Sequence, residues 1–174
     1  MLEFLTDKEI YEKVILQLIP QTKEFLWIGT ADIKDMYIEQ HGTMVPFLSV
    51  LNGLLQHKKV IRLIHAKDPG PNFRKDFDKY PLLWKNMERI CCPRVHFKTI
   101  IVDGHWAYIG SANFTGAGIG SKSQDARNFE NGILTDEAEL VEKIMEQYDQ
   151  VWMGAKCKKC KRKKFCGDRI DLSY

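Results

Sequence analysis

The stretch Val95–Asn113, VHFKTIIVDGHWAYIGSAN, sets a histidine, a lysine, an aspartate, a serine and an asparagine within one strand–turn–strand pattern. Alternate residues of a strand share a face, so His96 and Lys98 point one way while Val95 and Phe97 point the other. Asp103-Gly104 is a strong two-residue turn signal, because a type I′ turn demands positive φ at both central positions. With that turn Val102 faces His105, and pairing traced back sets Ser111 opposite His96, with Asn113 one pleat further along the same face. A one-residue slip moves each side chain to the opposite face, so the convergence is conditional on register.

The polar residues stand at the spacing H-x-K-x4-D-x6-G-S-x-N: His96, Lys98, Asp103, Gly110, Ser111 and Asn113. This resembles the signature of the phospholipase D superfamily, with every position filled. Cleaving a phosphodiester needs a nucleophile, groups that neutralise the phosphoryl oxygens and an acid for the leaving group. An imidazole can attack phosphorus and split one hard step into two. The resemblance implies chemistry of this kind without a metal, with His96 as nucleophile and Lys98 and Asn113 on the phosphate. Ser111 supplies a neutral donor or orients a catalytic group. Asp103 fills a catalytic-motif position, yet it sits at the turn end, roughly 20 Å from His96 at ~3.3 Å per residue. A turn-forming or ion-pairing role is as well supported for it as a catalytic one. Asn128-Phe129-Glu130-Asn131 resembles the N-x-E-N strand of single-motif members, where the glutamate fixes the histidine tautomer, which assigns that role to Glu130.

The motif occurs once. His57-Lys58-Lys59 and His65-Ala66-Lys67 also satisfy H-x-K, but Ile64 and Asn72 stand where aspartate is required and no G-S-x-N follows. The chemistry calls for two histidines, one attacking and one protonating. A twofold-symmetric homodimer that brings two copies of His96 together supplies them, as single-motif phospholipase D-like nucleases do. His65 ends a strand and is expected to be buried or on the surface rather than catalytic, and His105 lies at the wrong end of the hairpin.

At 174 residues the chain suffices for one well-buried domain. Its apolar runs fall far short of the ~20 residues needed to span a bilayer. The start, MLEFLTDKEIYEKV, has acids among its apolar residues and no signal-peptide core, so the expected location is the cytoplasm. The pattern alternates helices and strands. Thr6 and Glu9 form a capping box before Ile10, Val14 and Leu18. Strands are expected at Glu24–Gly29 and Val60–His65, with a helix from Pro46 between them. Residues 73–90 read as partly helical, interrupted near Pro81. After the hairpin come a polar loop from Thr115 to Arg127, a strand at Phe129–Leu134 and a helix from Asp136 through Trp152. The fold class expected is α/β, a mixed β-sheet flanked by helices, as in the phospholipase D-like fold. A catalytic domain over residues 1–153 is followed by a short Cys-rich basic tail, residues 154–174.

The net charge of +3 is unevenly spread. Residues 156–169 hold eight Lys or Arg against one Asp, leaving 18 basic and 22 acidic residues elsewhere, a balance of −4. Lys158, Lys159, Lys161, Arg162, Lys163 and Lys164 thus form a basic run suited to phosphates, whose charge contacts give affinity without reading sequence. Cys157, Cys160 and Cys166 interrupt it as C-x2-C-x5-C, a spacing suited to zinc or an iron–sulfur cluster. Cys91 or Cys92 would complete a four-thiolate set, with Asp168 a weaker candidate. The pattern resembles the cluster-binding cysteines of RecB-type nucleases. Such a metal is structural, and no cofactor is expected for catalysis. Three functions follow: a metal-independent endonuclease on DNA or RNA, a phospholipase D or phosphatidyltransferase acting on phospholipid, and a non-catalytic nucleic-acid-binding module.

Overall fold

Val60–His65 (VIRLIH) and Phe25–Thr30 (FLWIGT) are β-branched and aromatic runs almost without charge, as befits strands covered on both faces. In the computed structural model, which describes residues 1–34 and 36–168, they pair in parallel at the centre of a seven-stranded mixed sheet. The strands are β1 (Leu2–Thr6), β2 (Phe25–Thr30), β5 (Val60–His65), β6 (Glu88–Cys91), β7 (Lys98–Val102), β8 (Trp106–Gly110) and β9 (Asn131–Thr135). Their spatial order is β1-β9-β8-β7-β2-β5-β6. The β2, β5 and β6 strands run parallel, and the remaining pairings are antiparallel. A separate hairpin, β3 (Tyr37–Gln40) and β4 (Thr43–Pro46), stands apart.

Helices cover both faces, as expected. On one, a π-type helix (Ile10–Leu18) and α1 (Phe47–Gln56) bury Ile10, Val14, Leu48 and Leu51 against Leu26, Ile28 and Ile100. The short helices α2 (Pro71–Phe77) and α3 (Pro81–Asn86) complete that layer through Phe73 and Leu83. On the other, α4 (Ala138–Trp152) packs Val141, Ile144 and Tyr148 against Trp27, Ile64 and Ile101. Tyr148 stacks on Trp27 with centroids 5.1 Å apart and donates to the Ile28 carbonyl.

Four strands depart from the expectations. Leu2–Thr6 is a strand rather than a lead-in to the helix, and the Thr6–Glu9 capping contact forms directly after it. The β3–β4 hairpin precedes α1. Pro81 opens α3 instead of interrupting a longer helix, and β6 follows where helix was expected. The final helix begins at Ala138 rather than Asp136, whose carboxylate accepts from the N-terminal ammonium.

Candidate active site

Asp103 and Gly104 have φ of 55° and 65°, and His105 N–H donates to the Val102 carbonyl, so the expected tight turn forms. The ladder nevertheless resumes with Val102 opposite Trp106 and Lys98 opposite Gly110. His105 is therefore an extra residue on the second strand, a bulge that shifts the register by one from the expected pairing. Ser111 does not lie opposite His96, and the hairpin alone does not assemble the site.

What assembles it is one edge of the sheet, where β1, β2, β5 and β8 end and β7 and β9 begin. Lys98 opens β7 and is buried, 7 % exposed. Its Nζ donates to the His96 carbonyl at 2.7 Å and lies 3.3 Å from His96 Nδ1. Burial holds the Lys98 ammonium below its usual basicity, an effect the Glu130 carboxylate opposes. His96 itself is exposed on the loop before the strand. Asn113 follows β8, and its side-chain oxygen accepts the Asp32 N–H at 3.2 Å, which leaves the amide nitrogen as the group able to donate outward. Thr30, at the end of β2, fixes that loop by accepting the Phe114 N–H at 3.0 Å and donating to the Asp32 carbonyl.

Ser111 and Glu130 form a pair of their own. Ser111 Oγ donates to Glu130 Oε2 and accepts the Asn131 N–H, tying the end of β8 to the start of β9. The second Glu130 oxygen accepts from Asn128 Nδ2 at 3.0 Å. Its backbone N–H donates to Asp7 Oδ1, so the residue after β1 sets its position. Both Glu130 oxygens thus have donors other than His96, whose ring neighbours Lys98. Asp103 belongs elsewhere. Its carboxylate accepts the backbone N–H groups of Lys23, Glu24 and Phe25 at 2.8–2.9 Å. Those bonds clamp the start of β2 to the far end of the hairpin, which is the structural role the sequence offered for Asp103 beside the catalytic one.

Two residues without a motif position shape the floor. Tyr108 is buried on the Lys98 face, and a Cβ on Gly110 or Gly132 would fall within 2.4 Å of its hydroxyl or ring. Only glycine fits at the motif's Gly110. His65 ends β5, 1 % exposed, with Nδ1 bonded to the Lys67 carbonyl and Nε2 without a partner among the described residues. Burial depresses its basicity, in keeping with the buried role expected.

Beyond α4 the tail folds back. Asp168 accepts the Cys91 N–H, and Cys166 Sγ donates to the Cys91 carbonyl. All five cysteines are free thiols. Lys158, Lys159, Lys161, Arg162, Lys163 and Lys164 are all exposed, with Arg162 and Lys164 over the Phe165 ring. Arg169 and the residues after it, which complete the expected tail, lie outside the described residues. No described helix is long and apolar enough to cross a membrane.

Comparison with known proteins agrees with this architecture. The family described as "Cardiolipin synthase, PLD-like domain" matches residues 15–152. NucT from Helicobacter pylori superposes with a TM-score of 0.62 at 14 % identity, over 86 % of this chain and 94 % of that one. Nuc from Salmonella typhimurium, a phospholipase D family member, gives 0.62 at 14 %, over 87 % and 95 %. TrmBL2, an archaeal chromatin protein described with a novel mode of DNA binding, gives 0.59 at 11 %, over 87 % of this chain and 51 % of that one. No curated protein matches significantly. With a family match over most of its length and its histidine and lysine of the motif side by side at one sheet edge, the chain belongs to the phospholipase D superfamily, carries a single copy of the motif and shares its fold with Nuc.

Proposed function

We propose that this protein is a metal-independent phosphodiesterase that cleaves DNA or RNA internally, through a covalent phosphohistidine at His96. The observation that carries the reading is the buried Lys98 ammonium, held 3.3 Å from the exposed His96 imidazole on the chain's one motif. A fixed cation there neutralises a phosphoryl oxygen as the imidazole bonds to phosphorus and the P–O bond to the leaving group breaks. Asn113, its oxygen tied back, donates to a second oxygen. Glu130 turns from Ser111 to hold His96 Nδ1–H, leaving Nε2 free to attack. Water then attacks the phosphohistidine and restores the enzyme.

Protonating the leaving oxygen calls for a second acid, and one chain offers one exposed motif histidine. A second copy provides it if the two sites face each other. The row Phe4, Ile133 and Ile109 supports such a contact, since it is paired across β1, β9 and β8, and Phe4 is 63 % exposed. A nucleic-acid substrate is supported by the six exposed cations of the tail. Phe129 adds to this: it is 97 % exposed next to Glu130, a free ring on which a base can stack. A phospholipid substrate is the second reading, favoured by the cardiolipin synthase description of the matching family.

The test is incubation of single-stranded DNA, RNA and phospholipid vesicles in EDTA with the wild type and His96→Ala. Cleavage of nucleic acid by the wild type, reduced at least roughly 10³-fold in the variant, supports the proposal. Hydrolysis of lipid alone selects the second reading, and equal cleavage by both proteins overturns the enzymatic one. Light scattering during size exclusion checks the dimer, which a fully active monomer contradicts.

A further inference from the structure

Four of the five cysteines line one cavity. Cys157, Cys160 and Cys166 approach it from the tail, and Cys92 from the loop between β6 and His96. Its volume is about 450 Å³, far more room than a bare ion fills. Adjacent residues of an extended chain point opposite ways, and this settles which of the paired cysteines takes part. The Cys91 thiol is directed at the Ala66 carbonyl, outside the cavity, whereas Cys92 faces in. The remaining walls include Arg94 and Lys163.

We infer that Cys92, Cys157, Cys160 and Cys166 bind a [4Fe–4S] cluster that staples the tail to the loop carrying His96. The donor set is wholly thiol, as such clusters require. The size of the cavity selects a cluster over a single zinc. Four thiolates on one zinc stand ~3.8 Å apart, given Zn–S bonds of ~2.3 Å. A cluster instead takes each thiolate on a different iron, at the corners of a cube, so its ligands surround a space rather than a point. The cluster arrives preformed, the four thiols bind as thiolates and their protons pass to solvent, with no change of oxidation state. Arg94 and Lys163 offset the negative charge of the cluster and its thiolates.

The staple has a consequence for the hairpin. Cys92 lies four residues before His96, and Phe97, between His96 and Lys98, lines this cavity. Holding Cys92 therefore restricts the loop that carries the nucleophile. The basic run is presented by the same staple, since its cations are interleaved with the three tail ligands.

The inference is independent of the proposed activity and is tested on the full chain purified without oxygen. Iron, acid-labile sulfide and zinc are measured, together with visible absorption and electron paramagnetic resonance after reduction. About four iron and four sulfide ions per chain are expected. Single substitution to serine at Cys92, Cys157, Cys160 or Cys166 should remove most of the iron, while Cys91→Ser retains it. Should a ligand variant fail to fold, stripping iron from the wild type by chelation and following proteolysis of the tail gives a second readout, with faster cleavage expected. One zinc per chain without iron, no metal at all, or iron lost from Cys91→Ser as from Cys92→Ser overturns it.

Discussion

Asp103→Asn separates the structural from the catalytic use of a motif residue. The side chain keeps its size, and asparagine tolerates the φ of 55° at this position. Oδ1, which accepts the Glu24 and Phe25 N–H groups at 2.8 and 2.9 Å, remains an acceptor but loses its charge. At Oδ2, which accepts the Lys23 N–H at 2.8 Å, an NH₂ group now faces another donor. Bonds to a charged acceptor contribute ~1.5–3 kcal/mol and neutral ones ~0.5–1.5. Two bonds weakened by ~1–1.5 kcal/mol each and one lost at ~1.5–3 therefore sum to roughly 3.5–6 kcal/mol. Asp103 is only half-buried, so water replaces part of the loss and about 2–4 kcal/mol is expected. For a chain of this size that lowers Tm by roughly 5–15 °C. Urea titrations followed by tryptophan fluorescence measure the change. Cleavage is assayed well below the variant's Tm, where the folded enzyme should keep its kcat within about threefold. Unchanged stability with activity reduced a hundredfold or more would show that Asp103 acts on the chemistry and not on β2.

Gly110→Ala should destabilise by about 2 kcal/mol or more, since its Cβ meets the Tyr108 hydroxyl at 2.3 Å and the Asn131 carbonyl at 2.5 Å. Adding Tyr108→Phe should recover only part, because the carbonyl remains; a fully stable single variant in thermal melts refutes the packing argument. Lys98→Met should melt no lower than the wild type yet cleave nothing. In the wild type, cleavage should fall on the alkaline side at a pH below that of an ordinary lysine, because burial lowers the pH at which Lys98 loses its proton; an alkaline limb set by free lysine counts against this. Burial depresses the basicity of His65 in the folded protein. The unfolded chain binds the proton more readily, so stability present above pH ~6.5 declines as pH falls from there through the lower folded value. His65→Gln should flatten that decline in urea midpoints measured across pH 7.5–5, and an unchanged slope assigns it to other groups.

The hairpin was legible because its signals are local: alternation, a turn dipeptide and fixed spacings. The bulge was not, since His105 is an ordinary residue and nothing in composition marks an inserted one. Glu130 was found through its strand motif, but its bond to Ser111 depends on β8 pairing with β9 across twenty residues of loop. Thr30 and Asp7 escaped because each acts at a distance in sequence, on Asn113's loop and on Glu130. Edge strands failed differently. Leu2 and Phe4 of β1 are exposed and Leu5 alone is fully buried, so the strand lacks the apolar face that periodicity detects. Strand β6, four residues with no fully buried member, has no period to read. Among the cysteines, spacing named the three in the tail. Which of the adjacent pair joins them depends on how β6 lies against β5.

Lys98 shows why the site sits where the ladder ends. Within the sheet, strand partners satisfy every backbone group and leave none to hold a cation. At the first residue of β7 the His96 carbonyl is free of the ladder, and it is this group that receives the Lys98 ammonium. Among the described residues Lys98 forms no salt bridge to a carboxylate. A buried charge met only by neutral acceptors is a liability to folding. Its position makes sense if an anion completes the pair when substrate binds. A strong carboxylate partner in the resting protein would stabilise the fold and blunt the attraction for phosphate. Glu130 is close enough to act on Lys98 electrostatically, yet Ser111 and Asn128 hold its oxygens. The engagement of Glu130 with Ser111 thus keeps Lys98 available, and in the proposed reaction the carboxylate leaves that serine to hold His96.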